Sequence, residues 1–289
     1  MIESISDLST PITTGILLGG LYAVVALGFS LVFGVMKVIN VAHGDFVILG
    51  SYLAFAAATV IDLDPFLSLV FILPLVLVVG FLVQKYLLNR AMAISVDAPV
   101  IICLGFSLML ANMFQIIWSP LSRGLTTSYS LVGYNIGRVS IQLVYLLDLI
   151  VALVVMLILR EFLRRTYLGK AIIAASQDKA AAEMMGINTN QVYAYAFAIA
   201  MACAALAGVL VGLTFPFSPT SGVPFLIIAF GVVILGGLGS MVGTLIGGIV
   251  FGLAQTLGGF YFGVAAQMFV AYVMVLVILG IRPQGIFGR

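Results

Sequence analysis

The sequence predicts an all-α protein, a polytopic transmembrane helical bundle of about 8–9 membrane segments that include glycine-broken or re-entrant pieces. Three observations carry this. Hydrophobic residues fill 63% of the 289 positions, charged residues only 8%, and the mean hydropathy is +1.29. Soluble domains carry roughly 25% charged residues, so a surface this poor in charge is made for lipid. Apolar runs such as "FLSLVFILPLVLVVGFLV" (66–83) and "LVYLLDLIVALVVMLIL" (143–159) approach the roughly 20 residues that cross a bilayer core about 30 Å thick. The polar–apolar alternation of a β-barrel is absent. Backbone groups in lipid must be satisfied internally, which leaves helices.

Taken in order, the segments read as roughly 11–34, 46–61, 66–86, 99–118, 141–160, 191–214, 224–239, 241–260 and 264–281. The second, seventh and eighth are short or glycine-broken, so eight full spans with a re-entrant piece fit nearly as well. The first run lacks the basic flank of a signal peptide, carrying Glu3 and Asp7 instead, and reads as a retained span. With the N-terminus outside, Lys37, Lys85, Arg90, Arg160, Arg164, Arg165, Lys170, Lys179, Arg282 and Arg289 fall inside, and only Arg123 and Arg138 outside. That asymmetry sets the expected orientation, with the C-terminus in the cytoplasm. The net charge of +2 points to no nucleic-acid partner. Cys103 and Cys203 stand alone in apolar runs and read as small buried hydrophobes rather than a disulfide or metal pair.

Two connections are long: an outer loop at 119–140 and an inner segment at 160–190. Within the inner segment "DKAAAEMMGIN" (178–188) reads as a short helix. Asp178 suits the N-cap, the alanines with Glu183, Met184 and Met185 favour helix, and Gly186 suits the left-handed position past its end. Asn190 is placed to cap the next span. So thin a helix fits a cleft on another protein; equally, it is a solvated connector on the membrane surface.

Glycines fall in the apolar runs, with Gly236, Gly239, Gly243, Gly247 and Gly252 near one helical face. Such spacing lets helix backbones approach closely. The stretches 40–46 and 236–243 each interrupt a hydrophobic region and precede a short apolar segment. Paired interruptions of this kind point to a permeation site in transporters. The expected translocation-pathway residues are therefore Asn40, His43, Gly44, Asp45, Gly236 and Gly239, joined by Asn112 and Asp148 within spans.

The only histidine, His43, admits three readings. "NVAHGD" is a bend whose polar groups cap the second helix, with Gly44 permitting the turn; or it lines the pathway near the inner gate; or His43 moves a proton or binds a metal. A lone histidine makes a poor metal site, and Asp45 suits the first turn of a helix, with Lys37 as a candidate partner. Asp148 stands about seven residues from the outer end of its span, roughly 10 Å deep. A charge at mid-membrane costs on the order of 3 kcal/mol. It is either a pathway group or one partnered within the bundle. Asn112 and Gln115 read as interhelical hydrogen-bonding groups.

The motifs bear a family resemblance. "INVAHGDFVILGSYLAF" resembles the Asn-x-Ala-His-Gly motif of permeases of branched-chain amino-acid ABC importers. "GLYAVVALGFSLVFGVMKVIN" resembles the helix before it, and "LGKAIIAASQDKAAAEMMGINTNQVYAYAFAIAMACAALAGVL" the inner loop and following helix, with Ala182, Gly186 and Ile187 in its core. "GGLGSMVGTLIGGIVFG" and "RPQGIFG" are similar to the late glycine and C-terminal signatures. The ordered set covers nearly the whole chain and looks like the H-type permease. The resemblance implies one transmembrane permease domain over 1–289, in the bacterial or archaeal cytoplasmic (inner) membrane. It implies as partners a second, non-identical permease chain, two cytoplasmic ATPase subunits and an extracytoplasmic substrate-binding protein. The inner helix becomes an ATPase-coupling element with Lys179, Ala182, Glu183, Met185, Gly186 and Ile187. No catalytic residue, metal or cofactor is expected in this chain. "LGKA" (168–171) lacks the rest of a phosphate loop, which leaves ATP and Mg to the partner subunits. The competing expectation is an ion-coupled secondary transporter, for which only Asp148 is a reasonable coupling group. A channel would need a polar stripe along a span, and none is evident.

Overall fold

Helices follow the apolar runs because hydrogen bonding within the segment is the one way to bury a backbone in lipid. The computed structural model describes residues 8–95, 97–130, 132–136, 139–282 and 284–287. Helix α1 (Ser9–Met36) occupies the middle of the bundle, packed against α11 (Met241–Phe262), α9 (Thr189–Thr214), α6 (Leu143–Arg165) and α10 (Gly222–Gly236). It can do so because its contact positions lack side chains. A Cβ at Gly19 would lie 2.5 Å from the Ile249 Cα, and one at Gly252 would lie 2.3 Å from the Gly15 carbonyl oxygen. The α1–α11 contact is backbone against backbone, as small residues allow.

Helix α1 ends at Lys37, which has a left-handed φ of 57°. Residues 37–42 are not helical, and α2 (His43–Ile61) follows. The His43 ring reaches the carbonyl of Val25, eleven residues before Met36, or about 16 Å along α1. The seven residues from Met36 to His43 can extend over roughly 23 Å, so the chain turns back and α2 begins inside the bundle. Helix α3 (Pro65–Val83) has Pro65 at its start and Asp64 accepting from the Phe66 amide. It runs through a π-helical turn (Gln84–Leu88) into α4 (Asn89–Ile94), one 30-residue apolar segment. Helix α5 (Ala98–Trp118) precedes the long loop, which holds an unexpected antiparallel hairpin, β1 (Gly133–Ile136) with β2 (Val139–Gln142). Arg123 and Phe217 exchange backbone bonds of 2.8 Å.

After α6 come α7 (Tyr167–Gln177) and α8 (Lys179–Met184), then α9, α10 and α11, and after a 3-10 turn α12 (Gln267–Ile281). Among the described residues eight segments are long and apolar enough to cross a membrane; α10, with 15 residues, is not. Its length, about 22 Å, has a reason: its first residue lies against Gly44 of α2, so α10 also begins inside the bundle. The second interruption of the fold is thus 215–221. The stretch 236–243, expected to play that part, is a tight turn into α11, with Gly237 at φ 96°, Gly239 at φ 81° and Ser240 accepting from the Gly243 amide. On α11, Gly243 and Gly247 pack on α10, while Gly248 and Gly252 pack on α1. Gly236 and Gly239 belong to the end of α10 and to the turn, not to that face. The ends of the bundle differ. One carries Lys37, Lys85, Arg90, α7 and α8; the other carries Asp62, Asp64, Arg123 and the hairpin. Arg138 and Arg289, expected on opposite sides of the membrane, lie outside the described residues, as do Glu3 and Asp7.

Candidate functional site

The "NVAHGDF" stretch forms a buried polar knot between α1, α2, α5, α9 and α10. Asn40 accepts from the Ala42 amide at 3.1 Å and directs its own amide to the sulfur of Met201 at 3.5 Å. That closes the turn before α2, although no side chain caps the helix itself. His43 is fully buried and does not cap α2. Its Nε2 lies 2.8 Å from the Val25 carbonyl; a carbonyl only accepts, so Nε2 carries the hydrogen. The ring meets Phe29 edge-on at 5.5 Å, and among the described residues Nδ1 has no partner. Gly44 keeps an ordinary helical φ, contrary to the expectation that it permits a turn. It is required for close approach: a Cβ there would lie 1.9 Å from the Gly222 carbonyl oxygen. Asp45 is buried against Gly222 and the hydroxyl of Ser107 on α5. Lys37 is exposed at the bundle end, and among the described residues no salt bridge joins it to Asp45. Asn40 lines a small recess with Val32, Met36, Gln84 and Phe197, while His43, Gly44 and Asp45 are buried.

Asp148 is fully buried on α6. It accepts from the Thr214 hydroxyl at 3.1 Å, and among the described residues its second oxygen has no partner. Nearby, Tyr22 of α1 donates to Gln255 of α11 at 2.6 Å. These bonds tie α6 to α9 and α1 to α11. Asn112 contrasts with them. It was expected to bond between helices, yet it is exposed on α5 and donates to its own helix at Leu108, 2.7 Å away. Gln115, one turn on, is exposed too. Gly105 shares that face, and a Cβ there would meet nothing within 4 Å.

The third constellation protrudes from the basic end. Asp178 caps α8 by accepting from the Ala181 amide at 3.0 Å. Gly186 takes the left-handed φ of 82° that ends it, and the Ile187 amide returns to the Ala182 carbonyl. Ala182 turns inward and is buried, whereas Met184 and Met185 are 82% and 83% exposed. Lys179 and Glu183 form an exposed i,i+4 pair at 3.9 Å, of little energetic weight, and Glu183 also accepts from the Thr189 hydroxyl. The cap of α9 is Asn188, accepting from the Gln191 amide, rather than Asn190. The Asn190 carbonyl instead accepts from Asn89, whose Oδ1 accepts from Gln84 in the π turn. Sequence reasoning missed this Gln84–Asn89–Asn190 link. It also missed α7, whose start is signalled by Thr166 accepting from the Gly169 amide.

A family model described as "Branched-chain amino acid transport system / permease component" matches residues 12–279. The chain belongs to this family. It is 30% identical to the high-affinity branched-chain amino acid transport system permease protein BraD of Pseudomonas aeruginosa, over 96% of this chain and 95% of BraD. It is 31% identical to the corresponding protein LivH of Escherichia coli K12, over 95% of this chain and 94% of LivH. A solved structure, PsaBC from Streptococcus pneumoniae in complex with Fab, shares the fold: the TM-score is 0.54 at 16% identity, covering 98% of this chain and 95% of that one. The permease is therefore a multi-pass transport subunit rather than an enzyme, and it works with other subunits.

Proposed function

We propose that this permease is one of two membrane chains of an ABC importer for branched-chain or related small amino acids, in the cytoplasmic (inner) membrane of a bacterium or archaeon. The second chain is a non-identical homologue. Two cytoplasmic ATPases bind ATP and Mg, and an extracytoplasmic binding protein delivers the solute. The whole chain acts as one permease domain, N-terminus outside and C-terminus inside, with 119–140 as its outer loop and 160–190 as its coupling segment. The observation that carries this is the α8 knuckle. A capped two-turn helix at the basic end holds Ala182 against the bundle and offers Met184 and Met185 outward. Methionines make adaptable docking surfaces, and basic ends face the cytoplasm.

ATP binding moves the knuckle and tilts the spans between outward- and inward-open states. The helix can bias that equilibrium only by touching the ATPase differently in the two states. The buried knot of Asn40, His43, Gly44 and Asp45 serves as the joint between α1, α2 and α10, with Gly236 and Gly239 shaping the turn that follows α10. The pathway wall is the face of α5 with Asn112 and Gln115, whose polar capacity beyond the Asn112–Leu108 bond lipid would leave unsatisfied. Asp148 holds α6 to α9.

The deciding experiment is uptake into proteoliposomes holding both permease chains, the ATPases and the binding protein. Uptake that requires ATP is expected. Uptake that persists without ATP on a proton gradient would overturn the proposal in favour of an ion-coupled carrier. Mass spectrometry of the solute held by the intact complex identifies the substrate.

A further inference from the structure

At the basic end a cavity of about 560 Å³ opens between α1, α6, α7 and the turn before α11. We propose that it holds the headgroup and upper chains of one anionic phospholipid. Its lining is graded along α1, from Lys37 past its end to Ser30 within it. Lys37 stands at the rim, just past the end of α1, with Ser176 and Gln177 from the end of α7. Lys170 is exposed on the same side of α7 as Gln177, seven residues away. Below lie apolar side chains, Val35, Leu163 and Ile172 among them. Ser30 lies deepest, six residues before Met36, about 9 Å in. It is 2% exposed, and among the described residues its hydroxyl has no partner.

Among the described residues no carboxylate lines the cavity and Lys37 has no salt bridge. A cation at the water boundary above apolar walls matches a phosphate above acyl chains. The buried hydroxyl matches an ester oxygen below the phosphate, which can accept its hydrogen. A volume of this size suits a bound small molecule, and basic recesses between spans are where anionic headgroups lodge. This assignment stands independently of the coupling role given to α8.

The test is native mass spectrometry of the full chain, purified with its copurifying subunits into nanodiscs of phosphatidylcholine containing phosphatidylglycerol. One phosphatidylglycerol retained per copy is expected. Lys37→Gln should lower that retention about five-fold, and Lys37→Arg should restore it. Because Lys37 is exposed, both variants keep the fold, which size-exclusion profiles check. Ser30→Leu fills the cavity floor and should also lower retention. Equal retention of the two lipids, or retention unchanged in Lys37→Gln, overturns the assignment. Displacement of the lipid by excess inorganic phosphate would make this a free-anion site and overturn it as well.

Discussion

Helices α1 and α5 have nearly the same mean hydropathy, 2.3 and 2.2, yet the bundle buries 89% of the apolar stretch of α1 and 22% of that of α5. Hydropathy selects the membrane as solvent for both. Side-chain size then decides which helix enters the middle. Helix α1 offers Gly15, Gly19, Gly20 and Gly28 to the backbones of α6, α9 and α11. Helix α5 offers Ile101, Leu108 and Ile116 outward, with Asn112 and Gln115 among them. Lipid supplies no hydrophobic drive between helices, so close approach through small residues takes its place.

Matched substitutions test this contrast most severely. Gly19→Leu in α1 should cost more than about 3 kcal/mol, since it forces two backbones apart, and the chain should fail to accumulate. Gly105→Leu in α5 should leave accumulation unchanged; fluorescence size-exclusion reads both, and equal losses would break the comparison. His43→Ala removes the bond to Val25 and the ring against Phe29, so thermal unfolding should show a loss of about 3 kcal/mol. Unchanged stability with uptake abolished would instead make His43 a chemical participant.

Exposure at the bundle end differs in kind from exposure to lipid. The double change Met184→Asp, Met185→Asp should leave accumulation intact while lowering ATP-driven uptake and ATPase copurification about ten-fold, the loss of a small contact patch. On α5, Asn112→Leu with Gln115→Leu should raise the KM for uptake about five-fold, the worth of one or two hydrogen bonds. A gain in stability with unchanged uptake would mean that this face meets lipid. Asp148→Asn preserves the acceptor for Thr214, so uptake and its pH profile should stay within about two-fold of the parent. Loss of uptake there would revive ion coupling.

The bundle and its spans were legible because one solvent acts on every residue alike. The α8 knuckle was legible too, since its cap, its alanines and Gly186 act within a few residues of each other. The start of α2 was not. Its position depends on His43 meeting Val25 and on Gly44 meeting Gly222, and no local pattern encodes those meetings. Likewise 236–243 shares the glycine richness of an interruption, but the second helix that begins inside the bundle, α10, follows 215–221, which is marked only by a Phe-Pro-Phe-Ser-Pro run. Asn190 looked like a cap because Asn suits that role; Asn188, two residues earlier, took it, and the Asn190 carbonyl bonded α4 instead.

The knot around His43 is completed by late arrivals. Asn40 waits for Met201, which lies 161 residues downstream, and Gly44 waits for Gly222. At ribosomal speeds of about 5–20 residues per second, that is a delay of roughly 10 to 30 s. Through that interval the nascent first half sits in the bilayer with an amide and a carboxylate lacking their final neighbours. The knot is therefore complete only once the tenth helix has begun.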